Sequence, residues 1–226
     1  MALLANKNTD DDKHFVGDFH FPTSKKALII FTRNPELGKC KTRLAATIGD
    51  AAALEVYKVL LKHTADITKN LNVDKFVFYS EAIYKNDSWD DTVYRKHLQL
   101  GEDLGIRMEN AFKDVFSMGY ESAIIIGSDM YDLSQKDLEE AFQVLTSNNL
   151  VIGPAQDGGY YLLGMKEVFP ALFKGKNWGT DSVLQNTLED LKNETYIQLS
   201  LRNDIDYYED MKDIEALNKF VTTISN

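Results

Sequence analysis

The stretch Ser122–Gly127, reading SAIIIG, restricts the fold more than any other part of the chain. A continuous apolar run, rich in β-branched residues and closed by a turn signal, suits a strand buried on both faces. Such strands lie at the centre of sheets that helices cover on both sides. This one runs directly into Ser128–Asp129. In open α/β sheets ligands bind beyond the carboxyl ends of the strands, near the switch point. A carboxylate there can hold a hard divalent cation over a phosphate. Capping of a turn is the structural alternative for Asp129.

A second stretch, Ala27–Leu44 (ALIIFTRNPELGKCKTRL), has the matching layout. Ala27–Thr32 fits a buried strand, and a loop with Pro35 and Gly38 follows. Past it, Asp50 can cap a helix carrying Ala53, Leu54, Tyr57, Leu60 and Leu61 at helical spacing and ending near Lys69–Asn70. Arg33, Lys39, Lys41 and Arg43 fall within eleven residues of a chain whose net charge is −10. Strand, basic loop and helix together place a phosphate beside backbone N–H groups. The alternative is a solvated loop paired with nearby acids, since neither a Walker nor a Rossmann glycine pattern is present.

The remaining segments alternate in the same manner. Lys75–Tyr79 reads as a strand, followed by a polar stretch with Trp89 and Tyr94 that suits an excursion over the sheet. Within Gln99–Gly119, Leu104, Met108, Ala111, Phe112 and Val115 form a helical stripe, and Asp103 and Arg107 are spaced for an ion pair. Ser134 starts a helix running through Leu145. Leu150–Pro154 and Tyr160–Met165 are strands joined by Asp157–Gly158–Gly159, which serves as a hairpin turn or as a close approach to a ligand. Thr180 or Asp181 can cap a helix reaching Leu191. Thr195–Leu199 is the last strand, and Asn203–Asp206 leads into a closing helix, Tyr207–Ile224, with Met211, Ile214, Leu217 and Val221 on one face.

The 226 residues suit one α/β domain, with 44% hydrophobic and 27% charged residues in the globular range. Residues 1–25 read as a loosely ordered extension containing Phe15, Phe19 and Phe21, and 26–226 as the domain itself. The acidic balance argues against a nucleic-acid or membrane-surface binder. The single cysteine, Cys40, excludes an internal disulfide framework, and the four histidines show no metal-ligand spacing. A cytoplasmic protein is expected, since there is neither an apolar span nor a signal-like start.

The order of these motifs resembles the nucleotide-diphospho-sugar transferase (GT-A) fold. More closely it resembles a GT-A-like family of arsenosugar-biosynthesis-type or otherwise uncharacterised glycosyltransferases, distantly similar to molybdenum-cofactor and phospholactate nucleotidyltransferases. FTRNPELGKCKTRL, EDLGIRM, IIIGSD, GPAQDGGYYLLG, WGTDSVL and DIDYYEDM carry the resemblance in order, over about residues 26–218. It implies a three-layer α/β/α domain with a mostly parallel sheet. It implies that Arg33, Lys39, Lys41 and Arg43 line the nucleotide phosphates, with Asp103, Arg107 and Gly158 also binding. Asp129 is implied as the principal metal carboxylate and Asp206 as the second, holding Mg²⁺ or Mn²⁺. Asp157 or Asp181 would orient or deprotonate the acceptor. The chain departs from the family at Met130–Tyr131, where Cys-Pro usually follows the aspartate, and Asp132 offers only a weak second ligand. The activity implied is a metal-dependent glycosyltransferase that takes a nucleotide sugar and a small-molecule acceptor. Its rivals are a nucleotidyltransferase that joins an NTP to a phosphorylated acceptor, and a non-catalytic nucleotide-binding module.

Overall fold

The computed structural model describes residues 22–220, so most of the expected N-terminal extension and residues 221–226 lie outside the described residues. Seven strands form one sheet: β1 (Lys26–Thr32), β2 (Asp74–Tyr79), β3 (Tyr94–Leu98), β4 (Ser122–Ile126), β5 (Leu150–Pro154), β6 (Tyr160–Met165) and β7 (Tyr196–Gln198). Their order is β3-β2-β1-β4-β6-β5-β7. The β1–β2, β1–β4, β2–β3 and β5–β7 pairs are parallel, and β6 runs antiparallel to both of its neighbours. The sheet is mostly parallel, as the resemblance implies.

The apolar run that dominates the sequence is β4, the middle strand of the seven, and all five of its residues are buried. Its side chains alternate between two cores. Ile124 and Ile126 meet Leu60, Leu138 and Phe142, from α2 (Asp50–Thr68) and α4 (Gln135–Ser147). Ala123 and Ile125 meet Met108, Phe112 and Phe173, from α3 (Leu104–Ser117) and a 3₁₀ turn at Pro170–Phe173. Each fully buried isoleucine removes enough apolar surface to contribute about 1.5–3 kcal/mol, which is why the run tolerates no polar face.

Several expectations need correction. The basic loop is followed first by a short helix, α1 (Thr42–Ile48), which Gly49 at φ +83° separates from α2. Asp50 is therefore the first residue of α2 and not its cap, although an acid in the first turn still favours the helix dipole. The polar stretch after β2 contains the edge strand β3, which Tyr94 opens, and both Trp89 and Tyr94 are buried. The helix α5 (Val183–Asp190) takes Ser182, not Thr180 or Asp181, as its N-cap. The closing helix is two pieces, α6 (Tyr208–Met211) and a 3₁₀ turn at Glu215–Phe220. Met211, Ile214 and Leu217 recur every three residues, and Ile214 and Leu217 donate to carbonyls three residues back. That spacing matches a 3₁₀ turn better than a 3.6-residue helix.

Strands β2 and β3 lie to one side of β1, and β4 to the other, so the sheet reverses its direction of growth between β1 and β4. The loop after β1 and Ser128–Asp129 after β4 open at this switch point. Among the described residues no helix is long and apolar enough to cross a membrane.

Candidate functional site

The loop after β1 is held at both ends. Gln99 donates from Nε2 to the Thr32 and Phe78 carbonyls at 3.2 and 2.9 Å. The Tyr57 hydroxyl accepts from the Arg33 amide at 3.0 Å and lies 3.3 Å from the Ser128 hydroxyl, tying the loop to the end of β4. Asn34, buried, accepts from the amides of Glu81 and Ala82 and donates to the Ala82 carbonyl. Cys40 is buried with its thiol donating to the Asn34 carbonyl, and burial pushes its pKa up. The thiol is a structural part of the loop.

At the switch point three carboxylates converge. Asp129, Asp204 and Asp206 each present an oxygen within 4.8 Å of the others. The Ile205 amide donates to the Asp129 carbonyl at 3.4 Å, and Asp210 accepts from the amides of Asp206 and Tyr207. The Asn203–Asp206 segment is thus fixed beside the end of β4.

The side chain of Lys41, 6% exposed, reaches into the middle of the trio, with Nζ 2.9 Å from Asp129, 2.8 Å from Asp206 and 3.8 Å from Asp204. Its backbone is left-handed at φ 48°, a conformation that non-glycine residues seldom hold. Burial would lower its pKa, but Asp129 and Asp206 outweigh burial, and the ammonium stays charged. Arg43 pairs with Asp206 at 2.9 Å. Burial raises the Asp206 carboxyl, yet Lys41 and Arg43 together hold it below its ordinary range. Asp204 is left with the longer Lys41 contact, at 3.8 Å. Burial, then the negative Asp129 nearby, push it up to about 6.

Of the residues picked out from the sequence, Arg33, Lys39, Lys41, Arg43, Arg107, Asp129, Asp157 and Asp206 all line one cavity of about 790 Å³. Lys39 is exposed and pairs with Glu36 at 2.7 Å. Among the described residues neither Arg33 nor Arg107 has a carboxylate partner; Arg107 donates from Nε to the Gly101 carbonyl at 2.9 Å. The expected Asp103–Arg107 pair is absent because the Asp103 carboxylate caps α3, accepting from the Ile106 amide at 2.8 Å.

Asp103, Gly158 and Asp181 do not line the cavity. Gly158, at φ +85°, lets the β5–β6 turn pass against Asp181, whose carbonyl oxygen would lie 2.2 Å from any added Cβ. Its close approach is to the protein's own backbone. Asp132 pairs with Arg202 at 3.4 Å and stays outside the trio. The member of the carboxylate trio that sequence reasoning missed is Asp204. Its signal is its place two residues before Asp206 in the same acidic motif.

A smaller cavity of about 240 Å³ adjoins the first. Phe31, Leu104, Asp129, Asp157 and Asp204 line both and mark their boundary. The arrangement offers a cationic cleft for an anion, three oxygen donors suited to a hard cation, and a second compartment beyond them.

Comparison with known proteins agrees with this architecture. A family model described as "Uncharacterized protein conserved in bacteria (DUF2064)" matches residues 63–180. No curated protein sequence matches. A crystal structure of a candidate nucleotide-diphospho-sugar transferase from Desulfovibrio desulfuricans G20 is similar at TM-score 0.80 and 27% identity, over 89% of this chain and 98% of that one. Two more distant structures share the fold. A cytidylyltransferase from Leptospira borgpetersenii serovar Hardjo-bovis matches at TM-score 0.55 and 13% identity, over 88% of this chain and 93% of that one. Rv0371c of Mycobacterium tuberculosis H37Rv, solved in complex with manganese, matches at TM-score 0.50 and 12% identity, over 84% and 97%. The family match covers just over half of the chain and takes in α3, β4 and Asp129, and the protein belongs to the DUF2064 family.

Proposed function

We propose that this protein is a metal-dependent glycosyltransferase that moves a sugar from a nucleotide-diphospho-sugar to a small-molecule acceptor. The observation that carries the reading is the Asp129–Asp204–Asp206 trio at the boundary between a cation-lined cleft and a second compartment. The name of the Desulfovibrio relative and the resemblance to arsenosugar-type glycosyltransferases support the same reading.

The trio fits a divalent cation. Mg²⁺ and Mn²⁺ favour carboxylate oxygens together with phosphate oxygens, and the Lys41 ammonium already stands where a cation would sit. When bound, the ion supplies charge neutralisation on the diphosphate leaving group. Arg33, Lys39, Arg43 and Arg107 line the cleft on which that diphosphate would lie, and preorganised cations of this kind contribute most in a partly dehydrated site. Lys41 pairs with the trio, and nucleotide phosphates would give its ammonium another partner.

In the transfer, the acceptor hydroxyl oxygen bonds to the anomeric carbon as the bond from that carbon to the phosphate oxygen breaks. The bonding pair leaves with the nucleoside diphosphate. Asp157, which lines both compartments, is the carboxylate to which we assign the hydroxyl proton. Asp181, which lines neither cavity, is the less direct choice.

The second reading, nucleotidyl transfer from an NTP, is favoured by five cationic side chains along the cleft, enough for a triphosphate. Product analysis decides between the two. Free nucleoside diphosphate from a nucleotide sugar is expected; free pyrophosphate from an NTP would replace the glycosyltransferase with the nucleotidyltransferase.

A further inference from the structure

Two sets of side chains stand apart from the phosphate and metal roles: Leu104, Gly105 and Met108 at the start of α3, and Trp178 before α5. They meet in the smaller cavity. Phe31, Leu104, Met108, Tyr160, Trp178 and Val183 form its apolar wall. The Trp178 ring rests on Gly105 so closely that a Cβ there would lie 2.6 Å from it, so the glycine is what seats the indole. Trp178 remains half-buried.

Polar groups are distributed unevenly around this cavity. The three carboxylates that line it, Asp129, Asp157 and Asp204, all belong to the boundary shared with the cationic cleft. The exposed Thr180 hydroxyl on its wall is already engaged, donating to the Asn177 carbonyl at 2.7 Å and lying 2.9 Å from Ser182 Oγ. Among the described residues the Tyr160 hydroxyl has only the Met108 thioether, at 3.8 Å, which is a weak acceptor. A hexose carries hydroxyls around its ring, and each one dehydrated without a partner costs free energy. These walls could satisfy few of them. A ring-sized apolar group suits the volume, since a dry cavity of roughly 150 Å³ already holds benzene.

Resting on the glycosyltransferase reading, we infer that this compartment binds the acceptor, and that the acceptor is an alcohol with a ring-sized apolar body. Its body lies against Trp178 and Met108, and its hydroxyl reaches the carboxylate boundary beside Asp157.

Saturation-transfer NMR on the full-length protein tests this with 2-phenylethanol, methyl α-D-glucopyranoside and uridine at equal concentration. Saturation of the phenyl protons is expected, at least fivefold above that of either competitor, and Trp178→Ala should remove at least four-fifths of it. Equal or stronger saturation of the glucoside or of uridine would overturn the inference. So would saturation of none of the three, or a phenyl signal unchanged in the variant. Mn²⁺-dependent binding of nucleotide sugars, measured by calorimetry on the same wild-type sample, reports on the transferase reading separately. Its absence would remove that reading whatever the phenyl signal shows.

Discussion

The balance of charge among four side chains decides how this site behaves without ligands. Lys41 is the counter-ion of the carboxylate trio, and it competes with any divalent cation for the same oxygens. Replacing it by methionine leaves three acids facing one another with only Arg43 in contact. Breaking a buried pair from one side costs roughly 3–5 kcal/mol, and the partly solvated Asp129 and Asp206 favour the lower end. Lys41→Met should therefore melt earlier than wild type in EDTA, regain most of that loss in Mn²⁺, and bind Mn²⁺ at least tenfold more tightly by calorimetry. Asp204 gives a test with the opposite sign. Its folded pKa is raised from 3.8 to about 6, so the folded state holds this proton more tightly than the unfolded chain. That contribution is complete below about pH 4 and is lost as the pH rises through 6. Asp204→Asn should then be more stable than wild type by about 1–3 kcal/mol at pH 7.5 without metal, with the advantage gone at pH 4. Denaturant melts at the two pH values check this. Asp204 opens the same DIDYYEDM motif as Asp206, but the resemblance assigns a metal contact to Asp206 alone. The value of the neighbouring acid depends on the segment folding back on Asp129, which no local pattern records.

At the level of elements, the best-read segments were those with one strong periodicity. The stripe on α3 and the apolar run of β4 were legible because burial alone dictates them. The edge strand β3 was not. Its sequence, YRKHL, carries charges because an edge must resist pairing with other chains, and those charges hid the strand. Only the buried Trp89 and Tyr94 hinted at it. The closing helix differs for a subtler reason: the stripe Met211, Ile214, Leu217 and Val221 suits an α-helix, but its first three members follow the three-residue hydrogen bonding of a 3₁₀ turn. Gly105 shows how packing overrides propensity. In an exposed helix Gly→Ala stabilises by about 1 kcal/mol. Here the new Cβ would meet the Phe173 carbonyl oxygen at 2.3 Å as well as Trp178. Gly105→Ala should instead lower the melting temperature and shift the Trp178 indole resonance, whereas propensity alone would raise the melting temperature and leave that resonance in place.

For the whole molecule, the sheet order places the β1 loop and the end of β4 side by side, and the rest of the site follows from that adjacency. Chain order and apolar patterning made the three-layer class readable, and the basic loop and Asp129 followed as candidates. The division of the site into a cationic cleft and an apolar compartment was not readable. It arises from side chains far apart in sequence, such as Phe31, Met108 and Trp178. The central claim is that the carboxylate trio couples a divalent cation to a nucleotide donor. Calorimetric titration of a panel of nucleotide-diphospho-sugars, with Mn²⁺ and with EDTA, into wild type and Asp129→Ala tests it most directly. At least one donor should bind wild type tenfold or more tightly with Mn²⁺ than with EDTA, and Asp129→Ala should abolish that difference. Donor binding that is equal with and without metal, or unchanged in Asp129→Ala, would contradict the account.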